Sequence, residues 1–598
     1  MAGSRAPAAV LLVLLALVLA RAALAFVPSM WAWGLNGQRF LAPLAAWLPW
    51  SLCLLALHPS IGERLARSLA RVGDWLLVAV RGEWAAALTA AAMVWMLPDR
   101  TWITGDFMLR QGWAESTLPE GVVINRWSAN FGQSLPLELL IDGAIPRLFG
   151  FLTSLDPSLA TRGIEAAAAG ALAVVALRLV REWGLHGAAA ATGAGIILFG
   201  GYLTAFTGLG KPAAVMGVLV VVVLLGCTRL ASSGHGAAPL GIALAFALWT
   251  HRGALLLLPV WIVSLVMARR GSGPDLETPR RYGLAIALPA LAAIAVAPLV
   301  WRIAQSLDIP RHFAPASVRS AGFLASAFDP PHLADLANLL VFFTPLVTLL
   351  PVLGLRRAPG EGHRVVLLWV LAAPFVPLLL FVHPMQGIIR DLEAFAIAGV
   401  SLAILAAYAV GTALERRALP GWMAPALLLA AFVPCLQWLV HFHDPHRGLE
   451  RVRALALEAP RRSDVEKARL WDGIAYRAFR LRQWDRAVEA SAQSVRYGPH
   501  PRSLMMLAIA RTYTGDFRGA ESLYVSMAER MPDDPLVWVG LGGAALRLND
   551  SVQISRSLDR LESYAPEGRE ARIIRRHLRF FPEVWPEPRP RPKPGTQP

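Results

Sequence analysis

The sequence predicts an all-α protein in two parts, a polytopic transmembrane core followed by an α-solenoid of helical hairpins. Three observations predict it. Apolar runs of about 16 to 22 residues, the length that crosses a bilayer, recur through the first three quarters of the chain. Basic residues gather in alternate loops between those runs. A repeat of 33 and then 34 residues occupies the last quarter. With 56% hydrophobic and 16% charged residues, the composition excludes an ordinary soluble globular protein.

The predicted parts are a core over 1–445, with a large outer loop at 98–163, a repeat region over 446–581, and a proline-rich tail over 582–598. The N-terminal run ends in small residues, Ala23-Leu24-Ala25, and reads either as a cleaved signal peptide or as a first span. About thirteen spans are expected on the length criterion. They cover 8–26, 41–57, 75–97, 164–180, 187–206, 213–228, 239–250, 253–268, 282–301, 336–353, 365–382, 394–414 and 422–439. The third carries Arg81 and Glu83, and so starts late or enters at a slant.

Arginine placement orients the spans. With the N-terminus inside, the inner loops receive Arg64, Arg67 and Arg71, then Arg181, Arg229, Arg269-Arg270, Arg280-Arg281, Arg356-Arg357 with Arg364, and Arg416-Arg417. Joining the seventh and eighth spans would put Arg269-Arg270 and Arg416-Arg417 outside, so a break is expected at His251-Arg252. This pattern accounts for the net charge of +16 without nucleic acid, for which no motif is present. Cys53, Cys227 and Cys435 all fall inside apolar runs, which gives neither a disulfide framework nor a zinc spacing.

On the outer side fall the loop from Pro98, tight turns at Lys211, His251-Arg252 and 383–391, a loop over 302–335, and the C-terminal region. In the first loop, Leu137, Leu140, Ile141 and Ile145 share one helical face. They read as a helix on the membrane surface or as one packed on its own loop.

Outward basic residues at span ends are the informative ones, because charges near hydrocarbon are costly. Lys211, His251, Arg252 and Arg390 form a candidate cationic rim, with Asp391 beside Arg390. Such a rim suits a lipid-linked phosphate; the alternatives are snorkelling to headgroups and a salt-bridged turn. Asp106, near the start of the first outer loop, is the candidate catalytic carboxylate, with Asp99, Glu115 and Glu120 as competitors. The alternative for Asp106 is a carboxylate capping a turn. The loop has no paired Asp-x-Asp, so no metal and no other cofactor is expected.

Five short stretches carry a resemblance: Gly105-Asp106-Phe107, Phe199-Gly200-Gly201-Tyr202, Thr250-His251-Arg252-Gly253-Ala254-Leu255 with Pro259, His332-Leu333-Ala334-Asp335-Leu336-Ala337-Asn338, and Gly387-Ile388-Ile389-Arg390-Asp391. In their order and membrane side, over roughly residues 75 to 415, the chain resembles the GT-C class of integral-membrane glycosyltransferases. The resemblance implies a polyprenyl-phosphate sugar donor, and Asp106 matches the acid of the first outer loop. The common two-acid pattern is absent, and the stretch after Tyr202 has no acid.

In the C-terminal region Trp471, Leu504 and Trp538 hold one register position, Ala487, Ala520 and Ile554 follow 16 residues later, and Pro499, Pro532 and Pro566 close each unit. This resembles the tetratricopeptide repeat, whose helical pairs stack because no unit buries its own apolar face. Ile554 departs from the small second anchor.

The expected function is therefore transfer of a sugar from a polyprenyl phosphate to an acceptor at the outer face of a bacterial inner membrane. Membrane lipid surrounds the core, and the periplasmic repeats recruit a protein partner. A lipid-linked glycan polymerase or ligase and a non-enzymatic membrane scaffold are the competing readings. A transporter is disfavoured, for want of an acidic relay inside the spans and of an inverted repeat.

Overall fold

The computed structural model describes residues 5–78, 80–102, 104, 134–271, 278–306, 314, 316–355, 361–564, 568–572 and 575. Among these the chain is helical, with no strand. It divides into two units, Met1–Arg461 and Arg462–Pro598.

The first unit is a set of apolar helices. Eight are long and apolar enough to cross a membrane, or up to 10 if each of two sharply bent helix pairs counts as one span. The expected count of thirteen is not reached, because several expected spans are short or broken. Helix α1 (Arg5–Leu24) is long and apolar enough to cross a membrane. Helices α2 (Pro43–Ala56) and α3 (Pro59–Val78) meet at 96°. The segment with Arg64, Arg67 and Arg71, expected as a loop, is thus an amphipathic helix with those arginines exposed. Helix α4 (Val80–Met96) starts five residues later than the expected third span. Its Glu83 is buried and held by Arg178 and Arg181 at 2.8 and 3.2 Å, which accounts for an acid in that run.

A short helix, α5 (Ile145–Thr153), follows a π turn over Leu139–Ala144. Glu138 and Asp142 face inward here, while Leu140, Ile145, Leu148, Phe151 and Leu152 are exposed. Exposed apolar groups with buried acids suit a helix on a membrane surface.

Helix α6 (Pro157–Glu182) opens on Pro157, with the Asp156 carboxylate accepting from the Ser158 amide. Helix α7 (Gly187–Leu198) ends after 12 residues and passes into a 3₁₀ turn, Gly201–Phe206. It is built of alanine, glycine and threonine through most of its length and is buried. Small side chains let neighbouring backbones approach, the way helices pack in lipid. Around it lie α3, α6, α14 (Ala396–Glu415) and α15 (Ala424–His443). Helix α8 (Ala213–Ser233) stops at Gly234 in the left-handed region.

Helix α9 (Ala237–Thr250) ends at the expected break, where His251 is extended and a 3₁₀ turn, Arg252–Leu257, leads into α10 (Leu258–Gly271). Helix α11 (Thr278–Ser306) follows. The expected tenth span is broken: α12 (Pro330–Phe343) stops at Thr344 and the chain turns by 105°. Helix α13 (Gly362–Ala372) continues through Phe375–Phe381. Helices α1, α10 and α11 expose leucine, isoleucine and valine side chains outward, as a lipid-facing layer does. Helix α16 (Pro445–Leu457), capped by Asp444, closes the unit. Cys53, Cys227 and Cys435 are all buried as free thiols.

Among the described residues the second unit contains six long helices that pack in sequence order: α17 (Asp464–Arg480), α18 (Trp484–Tyr497), α19 (Pro501–Thr514), α20 (Phe517–Arg530), α21 (Pro535–Leu548) and α22 (Ser551–Tyr564). Trp471, Leu504 and Trp538 are buried on the first helix of each pair, and Ala487, Ala520 and Ile554 on the second. A capping box on Ser463 and Glu466 starts the series. Pro566 lies outside the described residues.

Candidate functional site

Of the cationic residues singled out in the sequence, Lys211 lies in a turn, residues 207–211, between the 3₁₀ turn Gly201–Phe206 and α8. Gly208 and Gly210 both have positive φ, +105° and +71°. An L side chain is strained there, so the turn depends on glycine at both positions. Its three successive amides, on Gly208, Leu209 and Gly210, all donate to Glu165 of α6, the last two at 2.9 and 2.7 Å. Glu165 is 1% exposed. One carboxylate buried in a span thus satisfies three otherwise orphaned donors.

The turn presents Lys211, whose Nζ donates to Glu393 Oε1 at 2.8 Å. Glu393 is buried in the 3₁₀ turn Leu392–Phe395, just after Arg390-Asp391. Arg390 is also buried, and Asp391 accepts a hydrogen bond from Gln386 Nε2 at 2.8 Å. The acid that holds Lys211, Glu393, thus comes two residues after the polar turn at 383–391.

His251 sits in the break between α9 and the Arg252 turn. Its Nδ1 accepts from the Gly253 amide at 3.0 Å, which assigns the ring proton to Nε2. Desolvation, with Arg252 and Lys211 nearby, pushes its pKa down to about 3. The imidazole is neutral at pH 7 and acts as a donor through Nε2, not as a cation. Lys211, His251 and Arg252 thus share one electrostatic neighbourhood.

The start of the first outer loop is tied to the same turn, because the Asp99 amide donates to the Thr207 carbonyl at 3.3 Å. Asp99 is buried, and its Oδ1 accepts from the Thr101 and Trp102 amides at 2.7 and 2.9 Å. It is the carboxylate that caps this turn. The end of α15 stitches it down: the Arg100 and Thr101 amides donate to the Phe442 carbonyl, and His443 Nδ1 lies 3.0 Å from the Pro98 carbonyl. Asp106, Glu115 and Glu120 lie outside the described residues.

The stretch His332–Asn338 has a different task. Asp335 accepts from Trp33 Nε1 at 2.9 Å, and Asn338 accepts from the Gly34 amide at 2.7 Å while donating to the Trp31 carbonyl at 2.7 Å. A Cβ on Gly34 would meet the Asn338 carbonyl at 2.6 Å, so only glycine fits. His332 stacks on His383 at 3.8 Å and reaches the Leu380 carbonyl at 3.1 Å. This face of α12 clasps residues 31–34 to the core.

Two residues of the site escaped sequence reasoning. Glu393 is 182 positions from Lys211, and no local spacing links them. Glu165 did carry a signal, a lone acid in an alanine-rich span, which is expensive unless it has a task.

The arrangement is an anchored Lys211–Glu393 pair, with a neutral imidazole in its electrostatic neighbourhood and a carboxylate-capped turn beside it. Guanidinium and ammonium groups so placed can hold a phosphate or another anion. No protein-family model matches the chain, and no curated protein matches it.

Proposed function

We propose that this protein is a membrane glycosyltransferase that moves a sugar from a polyprenyl-phosphate donor to an acceptor at the outer face of a bacterial inner membrane. The observation that carries the proposal is the turn at 207–211, which joins Lys211, Glu393 and His251 on one side to the Asp99 turn on the other. Asp106 follows that turn by a few residues in sequence. In this reading Asp106 takes the proton, or holds the acceptor, as the new glycosidic bond forms. Lys211, Arg252 and Arg390, with the His251 Nε2–H, stabilise the departing phosphate. The C-terminal helical pairs, read as periplasmic tetratricopeptide repeats, bind a protein partner.

The test is mass spectrometry of lipid-linked and surface glycans in wild type, a deletion strain and Asp106→Asn, with protein abundance checked. Loss of one sugar from the deletion and Asp106→Asn strains, at normal abundance, is the expected result. A loss confined to the deletion strain moves the acid away from Asp106. Unchanged glycans in both overturn the proposal.

A further inference from the structure

A second group of cations lies apart from the Lys211 turn, where α1, the 3₁₀ turn Gly37–Phe40 and α16 come together. Arg21, in the last turn of α1, is 3% exposed, and Arg451 of α16 is 2% exposed. Arg451 donates to the Trp33 carbonyl and, at 3.3 Å, to Asn36 Oδ1. Its Cζ lies 4.0 Å from the centre of the Trp438 ring and 5.5 Å from that of Phe40. Arg21 lies 5.0 Å over Trp50. Its Nε and one terminal nitrogen have no hydrogen-bond partner among the described residues. His441, also 2% exposed, packs against Trp438 and Phe40, and neither ring nitrogen forms a well-made hydrogen bond.

The two guanidiniums feel each other: burial and Arg21 together push Arg451 down to about 9. Among the described residues no carboxylate answers them. Glu458, which follows α16, is taken in bidentate fashion by Arg39 at 2.6 and 2.7 Å. Asp444 caps α16, and Glu450 is exposed. Arginine keeps its charge in proteins, and a buried charge without an opposite charge costs several kcal/mol. Two of them, with donor atoms left over, form a receptor for an anion of matching charge.

We propose that Arg21 and Arg451, walled by Trp33, Phe40, Trp50 and Trp438, hold a phosphate group. A phosphate monoester offers up to two negative charges and several acceptor oxygens, which fits two guanidinium forks. The expected source is a membrane lipid. The outward face of α1 is apolar, with Leu12 and Leu19 exposed, and Phe26 just beyond its end stacks on Trp47. Arg21 is one turn from the end of α1, so a rotamer change carries its fork to the boundary where lipid phosphates sit. The proposal is independent of the transferase reading and of Asp106.

The test uses full-length protein in detergent, stripped of lipid, with native mass spectrometry and thermal unfolding. The probes are dioleoyl phosphatidic acid, dioleoyl phosphatidylcholine and inorganic phosphate. Wild type retains phosphatidic acid and is stabilised by it, and Arg21→Gln and Arg451→Gln each bind it about tenfold more weakly. Arg64→Gln, at an exposed arginine of α3, binds as wild type does. Stabilisation by inorganic phosphate, lost in the same two variants, also supports the site and names a free anion as its source. Removing one charge separates a receptor from a merely structural arginine. Without ligand, Arg21→Met is more stable than wild type because repulsion is relieved, and added phosphatidic acid reverses the order. Arg21→Gln, which also removes the charge, replaces it if the methionine variant is not recovered. Equal binding in all variants, equal response to phosphatidylcholine, or the same stability order with and without ligand overturns the proposal.

Discussion

Lys211 and Arg451 are both cations withdrawn from solvent just beyond an apolar helix, and the protein treats them in opposite ways. Lys211 meets a buried carboxylate, Glu393, at 2.8 Å on a turn that Glu165 locks in place. Arg451 meets aromatic faces, a carbonyl and an amide oxygen, with Arg21 as its charged neighbour. Lys211 has its counter-charge within the chain; among the described residues the Arg21–Arg451 pair has none. A cation with its own acid is a positioned group, ready to exchange one partner for another. A pair of cations without an acid calls for an anion from outside.

The comparison can be broken most severely at Glu165. Glu165→Ala leaves three buried amides without an acceptor, at ~1–3 kcal/mol each. A fall in thermal midpoint well above 10 °C, or loss of the protein from the membrane, is the expected result; an unchanged midpoint would show that the turn does not need its clamp. Next comes Glu393→Gln, which takes the opposing charge of this ion pair from Lys211 and destabilises by about 3 kcal/mol. The double variant Lys211→Met/Glu393→Met recovers most of that loss if the two act as a pair, and a thermal double-mutant cycle reads the difference.

Acidification has a smaller effect. Desolvation holds His251 at about 3, and desolvation with His332 beside it holds His383 at about 4, both below the ordinary 6.5. Between pH 6.5 and about 4 the unfolded chain takes up protons that the folded chain refuses, so stability falls as pH falls. The slope is at most ~1.4 kcal/mol per pH unit for each ring, and less for the partly solvated ones. His383→Gln flattens it, which unfolding midpoints at pH 7.0 and 4.5 measure. The smallest effect belongs to the exposed Arg447–Asp444 pair at 3.4 Å: Arg447→Ala changes stability by less than ~0.5 kcal/mol.

Much of the fold was legible because hydropathy and small-residue runs are local signals. The break at His251-Arg252 was visible in where the arginines fall, and the buried anchors of the C-terminal pairs in their fixed spacing. What was not legible depends on partners far apart in sequence. Glu393 gives no local hint that it will hold Lys211. Nothing near Arg21 announces that α16 will bring Arg451 to it. The 105° turn at Thr344 was missed because the run over 336–353 was read on its hydropathy, although Pro345 marks the residue before it as non-helical. The stretch His332–Asn338, one of those that carry the resemblance, gave no sign in the sequence that Asp335 and Asn338 would clasp Trp31, Trp33 and Gly34.

The Glu165 clamp has a consequence for what this end of the molecule can recognise. Three consecutive amides around two left-handed glycines form a nest, the backbone device that cradles phosphates in many nucleotide-binding loops. Here the nest is already filled by a carboxylate of the same chain. Any anion bound beside it must be read by side chains alone, and side chains are replaced one codon at a time. Two chains with this clamp and different residues at 211, 252 and 390 would keep one scaffold while reading different ligands.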